Sequence, residues 1–542
     1  MNLKLLSIKL TVALLTVFSI AGRAQNPPAE AKLEIQLEPG EKIWPAYIRE
    51  GENFPCAAGY HKDFYGDNNG NQMQPLLLGS HGLWVWSEEP YAFEVTADKV
   101  IITNRKGEVK QGRAGGSLAT ARKFVSENFF PPAGKTPDEL LLTKPQYNTW
   151  IELTYNQNQA DVLKYAHAII ANGFSPGVLM IDDTWQEDYG LWNFHPGRFP
   201  NPKQMMEELH QMGFKVMLWI CPFVSADQAR LVRALLQDKC FLMQKTPGKA
   251  TWEKATDPAI IKWWNGYSAL LDFSNPSAVR WFNGEMDRLV RDYGVDGFKL
   301  DAGDMRFYPA DALSKEAASP NRQCELYAQF GLRFPLNEYR ACWKMGGQPL
   351  AQRLHDKNHN WVDVQKLIPH MLVEGLSGYA FSCPDMIGGG DFESFRDMKQ
   401  VDQELVVRSA QIHALMPMMQ FSVAPWRVLD AEHLNAVKQT VKIREQFTPT
   451  ILELARNAAK TGEPIVRSLE YVFPHQGYEE IKNEFMLGDS LLVAPMDVKG
   501  GTRQVVLPAG NWRDDEGKSF AGGSTYPITV PLDRIPFFKK VD

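Results

Sequence analysis

Carboxylates at the ends of short apolar runs are the residues of this sequence best placed to do chemistry. Asp296-Gly-Phe-Lys-Leu-Asp301-Ala-Gly-Asp304 reads as a strand over Gly297–Leu300 that stops abruptly in acid and glycine. In parallel α/β folds a buried strand ending in a carboxylate marks a reaction centre. An Asp in this position also serves as a helix N-cap or a turn residue. The arrangement recurs along the chain, however. Asp182 and Asp183 precede Trp185, Trp219 precedes Pro222, and Asp304, Arg340 and Pro384-Asp385 likewise stand at the ends of strand-like runs. Separate caps account for any one of these, whereas a shared pocket accounts for the set.

The company these residues keep narrows the chemistry. The chain has no Ser nucleophile elbow, HExxH pair, phosphate-cradling Gly loop or dinucleotide fingerprint, so the reactions those motifs serve are not expected. His355 and His359 flank Asp356 and suggest a metal site, but no further ligands at regular spacing accompany them. Neither a metal nor a cofactor is expected. Carboxylates, an arginine and many aromatics remain, which suits glycoside cleavage: two acids across a sugar ring with flat faces around it. Fifteen Trp residues supply such faces, and indoles fill cores equally well. A formal charge of −6 gives no sign of a nucleic-acid partner.

The elements that must position these residues follow from the change of period along the chain. With 542 residues the protein is too long for one ordinary domain. Residues 1–24 read as a secretory leader, with an apolar run ending near Ile20 and Ala-Gly-Arg-Ala24 before the cleavage point. Export to the periplasm or the medium is therefore expected, with no membrane insertion. Residues 25–142 form a β-rich module, with short alternating strands at Leu33–Leu37, Ala92–Val95 and Val100–Thr103. From 143 to 445 strand-like and helical runs alternate: strands at Trp150–Tyr155, Val178–Ile181, Lys215–Ile220, Gly297–Leu300, Leu336–Tyr339, Gly378–Phe381 and Gln420–Val423, with helices such as Gln159–Asn172 and Ser277–Asp292 between them. That alternation predicts an α/β fold, a (β/α)8 TIM barrel. Residues 446–542 read as a C-terminal β-sandwich in which the helices have stopped. Six scattered cysteines without a CxxC pair permit a disulfide or two but read mostly as core.

With these motifs in place the chain resembles glycoside hydrolase family 31. Phe298-Lys299-Leu300-Asp301 is similar to the family's nucleophile strand, although Asp304 stands near the place of its usual Glu. Asp182-Asp-Thr-Trp185, Trp219-Ile-Cys-Pro222 and Asp272-Phe-Ser-Asn-Pro276 resemble further family motifs. So do the C-terminal Gly462–Leu469, Leu487–Pro495 and Gly510-Asn-Trp512. The acid's usual Gly-Asp-Asn or Gly-Gly-Asp context is missing. The family's spacings from a strand-end Arg to the acid, a following aromatic and a Gly are met by Arg340, Asp356, Trp361 and Gly378. Asp356 is thus the candidate acid, and Asp363, inside a helix expected near Trp361, is its rival.

The resemblance implies a retaining, exo-acting α-glycosidase acting on an α-linked oligosaccharide or glycoside. Asp301 would be the nucleophile, and Asp356, needing a raised pKa, the acid/base. Lys299, Arg340 and Asp304 would hold Asp301 ionised, and Asp182 would grip sugar hydroxyls. Asp183, Arg353 and Asp385 would join them at the substrate, with Trp185, Trp219, Trp361 and Trp426 walling the subsite. Ile181-Asp-Asp-Thr-Trp185 and Pro384-Asp-Met-Ile-Gly-Gly389 look like the α-galactosidase branch. Gln420-Phe-Ser-Val-Ala-Pro-Trp426 lacks the substrate-binding His of many α-glucosidases. α-Galactosidase is therefore expected, with α-glucosidase, α-xylosidase and a catalytically silent carbohydrate-binding protein as alternatives.

Overall fold

A computed structural model describes residues 31–104, 106–396, 398 and 400–541. The expected leader, residues 1–24, lies outside them. Eight strands, Gln146–Asn148, Val178–Ile181, Lys215–Ile220, Gly297–Leu300, Leu336–Tyr339, Gln352–Arg353, Ser382–Cys383 and Gln420–Phe421, neighbour one another in chain order. The eighth pairs in parallel with the first. At the remaining seam, between the seventh and eighth, Ile387 N donates to Gln420 O at 2.9 Å. This is the predicted (β/α)8 barrel, nearly closed. Val-Leu-Met-Ile at 178–181 and Gly-Phe-Lys-Leu at 297–300 are buried throughout, as strands covered on both faces must be.

The long helices over this barrel are set by their caps. Asn158, Asn201 and Asn275 each accept a backbone N–H with the side chain at a helix start. At the last two, proline occupies the first helical turn, where its missing N–H costs nothing. Three expectations fail locally. Trp150–Tyr155 is not a strand: the first barrel strand is Gln146–Asn148, and Trp150–Leu153 is one helical turn. Asn148 Oδ1 accepts the N–H of Trp150 and Ser422 Oγ that of Ile151, so tertiary partners override the β-propensity of the run. The seventh strand is Ser382–Cys383 rather than Gly378–Phe381, since Gly378 has φ +89°. Helical structure does not stop near 446, because the helix Ala431–Thr461 continues across Pro449 to a left-handed Gly462.

The N-terminal residues form two antiparallel sheets. One contains Ala31–Gln36, Lys99–Asn104, Tyr91–Val95 and His61–Asp63. The other, built on Gln72–Gly79, is extended by a barrel segment: Cys342–Trp343, just past the fifth strand, pairs in parallel with Gln72–Met73. The N-terminal module is therefore stitched to the barrel beside Arg340. The C-terminal strands form a six-stranded sheet and a two-stranded ribbon around Met486, Leu492, Val505, Trp512 and Phe538. All six cysteines are free and buried, in keeping with the core reading. No helix among the described residues is long and apolar enough to cross a membrane.

Candidate active site

The carboxyl ends of the second to sixth barrel strands converge on a pocket of about 260 Å³. Asp182, Asp183, Trp219, Lys299, Asp301, Arg340 and Asp356 line it. At two of these ends the chain turns sharply through a left-handed residue, Thr184 (φ 72°) and Ala302 (φ 56°), conformations that persist in non-glycine residues only where the surroundings enforce them. The turn brings an amide onto the preceding acid: Thr184 N donates to Asp183 Oδ1 at 2.7 Å and Ala302 N to Asp301 Oδ1 at 2.8 Å. Strand register and turn together fix these carboxylates.

Asp301 is surrounded by donors and cations. Trp219 Nε1 donates to its Oδ2 at 2.7 Å, Lys299 Nζ stands 3.7 Å away and Arg340 Nε 3.6 Å. Burial pushes its carboxyl up, but Lys299, Arg340 and Arg353 outweigh burial and hold it at about 2. Asp301 is thus an ionised, oriented carboxylate at neutral pH. Lys299 also reaches Asp182 Oδ2 at 2.7 Å. Asp304 is fully buried behind the pocket wall and accepts from Arg340 Nε at 3.1 Å. Trp185 is buried one layer back and donates to Trp219 O at 2.8 Å, so it supports Trp219 rather than touching the cavity.

Arg340 joins the two proposed catalytic groups, with Nε near Asp301 and Nη1 3.5 Å from Asp356 Oδ2. The two carboxylates therefore face each other across one guanidinium. Asp356 is the more open of the pair, its side chain 30 % exposed. Arg353, buried beneath it, sends Nη1 to Asp356 Oδ1 at 2.8 Å and to Asp385 Oδ1 at 2.7 Å, and Nε to Glu338 Oε1 at 3.2 Å. The raised pKa expected of Asp356 is not found. Burial raises it, but Arg353, then Arg340 and Lys299, bring it below the ordinary carboxylate value. Asp385 lies behind the wall, pushed up to about 7 by burial against the pull of Arg353. Lys357 N and Gly390 N also donate to its Oδ2.

Asp363 does not reach the cavity. It accepts from Asn358 N and Lys366 Nζ at the start of the helix Trp361–Val364, so geometry favours Asp356. Two expected aromatic walls are corrected. Trp361 donates to Asp402 Oδ2 at 3.1 Å, and Trp426 packs on Tyr165 and Phe174, both away from the pocket. The aromatic wall is instead Trp150, Tyr155, Phe392 and Trp264 with Trp219. The first three meet edge to face at 5.3 to 5.8 Å. Trp264, at a hairpin tip and 40 % exposed, takes the Arg340 guanidinium on its ring at 5.4 Å. The Gly390–Glu393 turn closes the same side. A Cβ at Gly390 would come within 2.6 Å of Asp385 Oδ1 and 2.8 Å of Asp356 Oδ1, so a side chain there would push on both carboxylates.

Sequence reasoning missed Glu338, a buried acid in the fifth strand that binds Arg353 and accepts from Gln420 Nε2 at 2.6 Å. A carboxylate in the middle of the expected strand Leu336–Tyr339 was the available signal. Ser422, at the place where the substrate His was missing, is fully buried and accepts from Ile151 N. His359 is bound through its ring to Gly388 O and Asp402 N, and no cluster suited to a metal occurs among the described residues.

Comparison with known proteins places both the barrel and the C-terminal module in one family. Residues 142–454 match the glycosyl hydrolases family 31 TIM-barrel domain and residues 462–542 the family 31 C-terminal domain. The mouse myogenesis-regulating glycosidase is 33 % identical over 443 residues, 78 % of this chain and 60 % of its own. Alpha-glucosidase 2 of Bacillus thermoamyloliquefaciens is 25 % identical over 458 residues, 76 % of this chain and 56 % of its own. The chain thus spans under two thirds of either relative. A family 31 dextranase from Flavobacterium johnsoniae complexed with glucose shares the fold, with a TM-score of 0.81 at 18 % identity over 95 % of this chain and 67 % of its own. With both domains matched and the barrel covering more than half of its length, the chain belongs to glycosyl hydrolase family 31.

Proposed function

We propose that the protein is a retaining, exo-acting α-glycoside hydrolase with Asp301 as nucleophile and Asp356 as acid/base. The observation that carries this reading is the placement of two carboxylates on either side of the Arg340 guanidinium, in a pocket with aromatic walls. At about 260 Å³ the cavity is smaller than sites for drug-sized ligands, which start at roughly 300 Å³. It suits one terminal sugar ring. Asp301, ionised, attacks the anomeric carbon while Asp356 protonates the departing oxygen. The charge of Asp301 raises the pKa of Asp356. Ester formation cancels that charge, so the pKa of Asp356 falls when it must next deprotonate water. Burial by a seated sugar supplies a further upward push in the first step.

For the sugar we favour an α-galactoside. The support is the wording at Ile181–Trp185 and Pro384–Gly389 together with the missing His near Ser422. Relatives named alpha-glucosidase and alpha-xylosidase keep those two sugars as the next alternatives. Nitrophenyl α-galactoside, α-glucoside and α-xyloside assayed side by side test the choice. A higher kcat/KM on the galactoside is expected, and preference for either other sugar refutes it. Export directed by residues 1–24 belongs to the same proposal, and a secreted form beginning at Gln25 is its expected mark.

A further inference from the structure

One turn of the N-terminal module reaches the proposed acid/base from outside the barrel. Asn71 Oδ1 accepts the backbone N–H of His355 at 3.0 Å, and Asn71 Nδ2 lies 3.1 Å from His355 Nδ1. The first bond fixes which end of the amide is oxygen, so the second is amide N–H to a ring lone pair. His355 Nδ1 therefore accepts from Asn71 Nδ2. Lys357 Nζ stands beside the same ring, 2.9 Å from Nδ1 and 3.3 Å from Nε2. Asn71 grips the residue before Asp356 by main chain and side chain together.

The neighbours of Asn71 grip Arg340. Gln72 Nε2 donates to the Arg340 carbonyl at 3.1 Å. Gly70, at φ +70°, passes so close to the guanidinium that a Cβ would come within 2.8 Å of Nη2 and 3.1 Å of Cζ. The turn is itself fixed: Asn68 Nδ2 donates to Asn71 O, and Asn69 Nδ2 donates to Tyr47 OH. Asn68, Asn71 and Gln72 are fully buried. Within the barrel, by contrast, Asp356 follows a strand of only two residues, Gln352–Arg353. Leu354 N binds Cys383 O and Lys357 N binds Asp385, leaving His355 N to Asn71.

We infer that Asn71 is a positioning residue for the acid/base, through which the N-terminal module sets the place of Asp356 over the leaving-group oxygen. The inference rests on the reading of Asp356 given above. It is tested on the full-length protein with aryl α-galactosides, or aryl glycosides of whichever sugar is preferred, whose phenols span a wide range of acidity. Asn71→Ala should lose roughly 10²-fold in kcat/KM on the least acidic phenols, the scale of a group misplaced by about 1 Å. On the most acidic phenols, which leave without a proton, it should stay near wild type. Asp356→Ala on the same series is the reference and should be steeper still. Asn71→Asp, which keeps the acceptor for His355 N–H but not the donor to the ring, should fall between and serves if the alanine variant does not fold. A loss that is uniform across the series for both Asn71 variants overturns the inference, because a merely structural role lowers yield and Tm without changing leaving-group dependence. If Asp356→Ala is itself uniform, the acid/base assignment fails and takes the inference with it.

Discussion

Asp301 closes a four-residue strand that is buried along its length, and its partners come from the adjoining third and fifth strands and their ends. Asp356 follows a two-residue strand, is three times as exposed as Asp301 (30 % against 9 % of the side chain), and is held by Arg353 and by contacts running 284 residues back to Asn71. The first wall is made by strand register and the second by long-range packing. A nucleophile must be fixed and ionised, which a strand end ringed by cations provides. An acid/base must change its charge twice per turnover, which suits a more open group whose neighbours can be rebalanced.

The comparison breaks most visibly at the nucleophile. Asp301→Asn should lower kcat by roughly 10⁴-fold or more, the scale for loss of a nucleophile, with an unchanged circular dichroism spectrum. Near wild-type turnover would refute its role. Asp356→Ala should cost about 10²–10⁴-fold on poor leaving groups, the usual contribution of general acid catalysis, and far less on good ones. Steady-state rates on nitrophenyl and alkyl glycosides check this.

The support of the second wall is tested by stability. Arg353→Met leaves Glu338 and Asp385 buried without their cation, and breaking such a network costs about 3–5 kcal/mol. Urea unfolding should show a loss of that size, and a variant as stable as wild type would contradict the network.

Asp183 sharpens the picture on the first wall. Burial, then Asp182, pushes its carboxyl up to about 7, above the unfolded value of about 3.9. Between these pH values the folded state keeps a proton that the unfolded chain has lost, so stability falls as pH rises through the window. The Tm of Asp183→Asn should therefore fall less than that of wild type between pH 5 and pH 8, and parallel profiles would count against the shift. The smallest effect is expected at the rim. Trp264→Ala removes one pocket-lining ring, at a cost of about 0.5–1.5 kcal/mol for an aromatic face, and should raise KM while leaving kcat nearly unchanged.

How far the sequence revealed each wall follows from the same contrast. The second to fourth strands are legible because Val178–Ile181, Lys215–Ile220 and Gly297–Leu300 are near-continuous apolar runs, and the acids at the ends of the second and fourth can be read directly; the fifth, Leu336-Asn-Glu-Tyr339, is carried by the alternation of strand and helix around it. The sixth to eighth strands have two residues each, too few to show a period, and Asp356 was reached only through family spacing. The aromatic wall was misread for a different reason. An indole on a sugar and an indole in a core look alike in sequence, so nothing there separates Trp361 and Trp426, which lie off the pocket, from Trp150 and Trp264, which line it. Trp150 was hidden in a run of strand-like residues that Asn148 and Ser422 bend into a helical turn. The Asn71 contact had no local signal at all, since its partner lies in another module.

The central claim is that Asp301 forms the covalent bond to the sugar. Incubation with a fluorinated α-glycosyl fluoride of the preferred sugar, which accumulates the glycosyl-enzyme, followed by proteolysis and peptide mass spectrometry, locates that bond. The label is expected on Asp301, in the peptide containing Gly297–Asp304. A label on Asp182, Asp183 or Asp356, or turnover without a trapped intermediate in a protein that inverts configuration, would contradict the account.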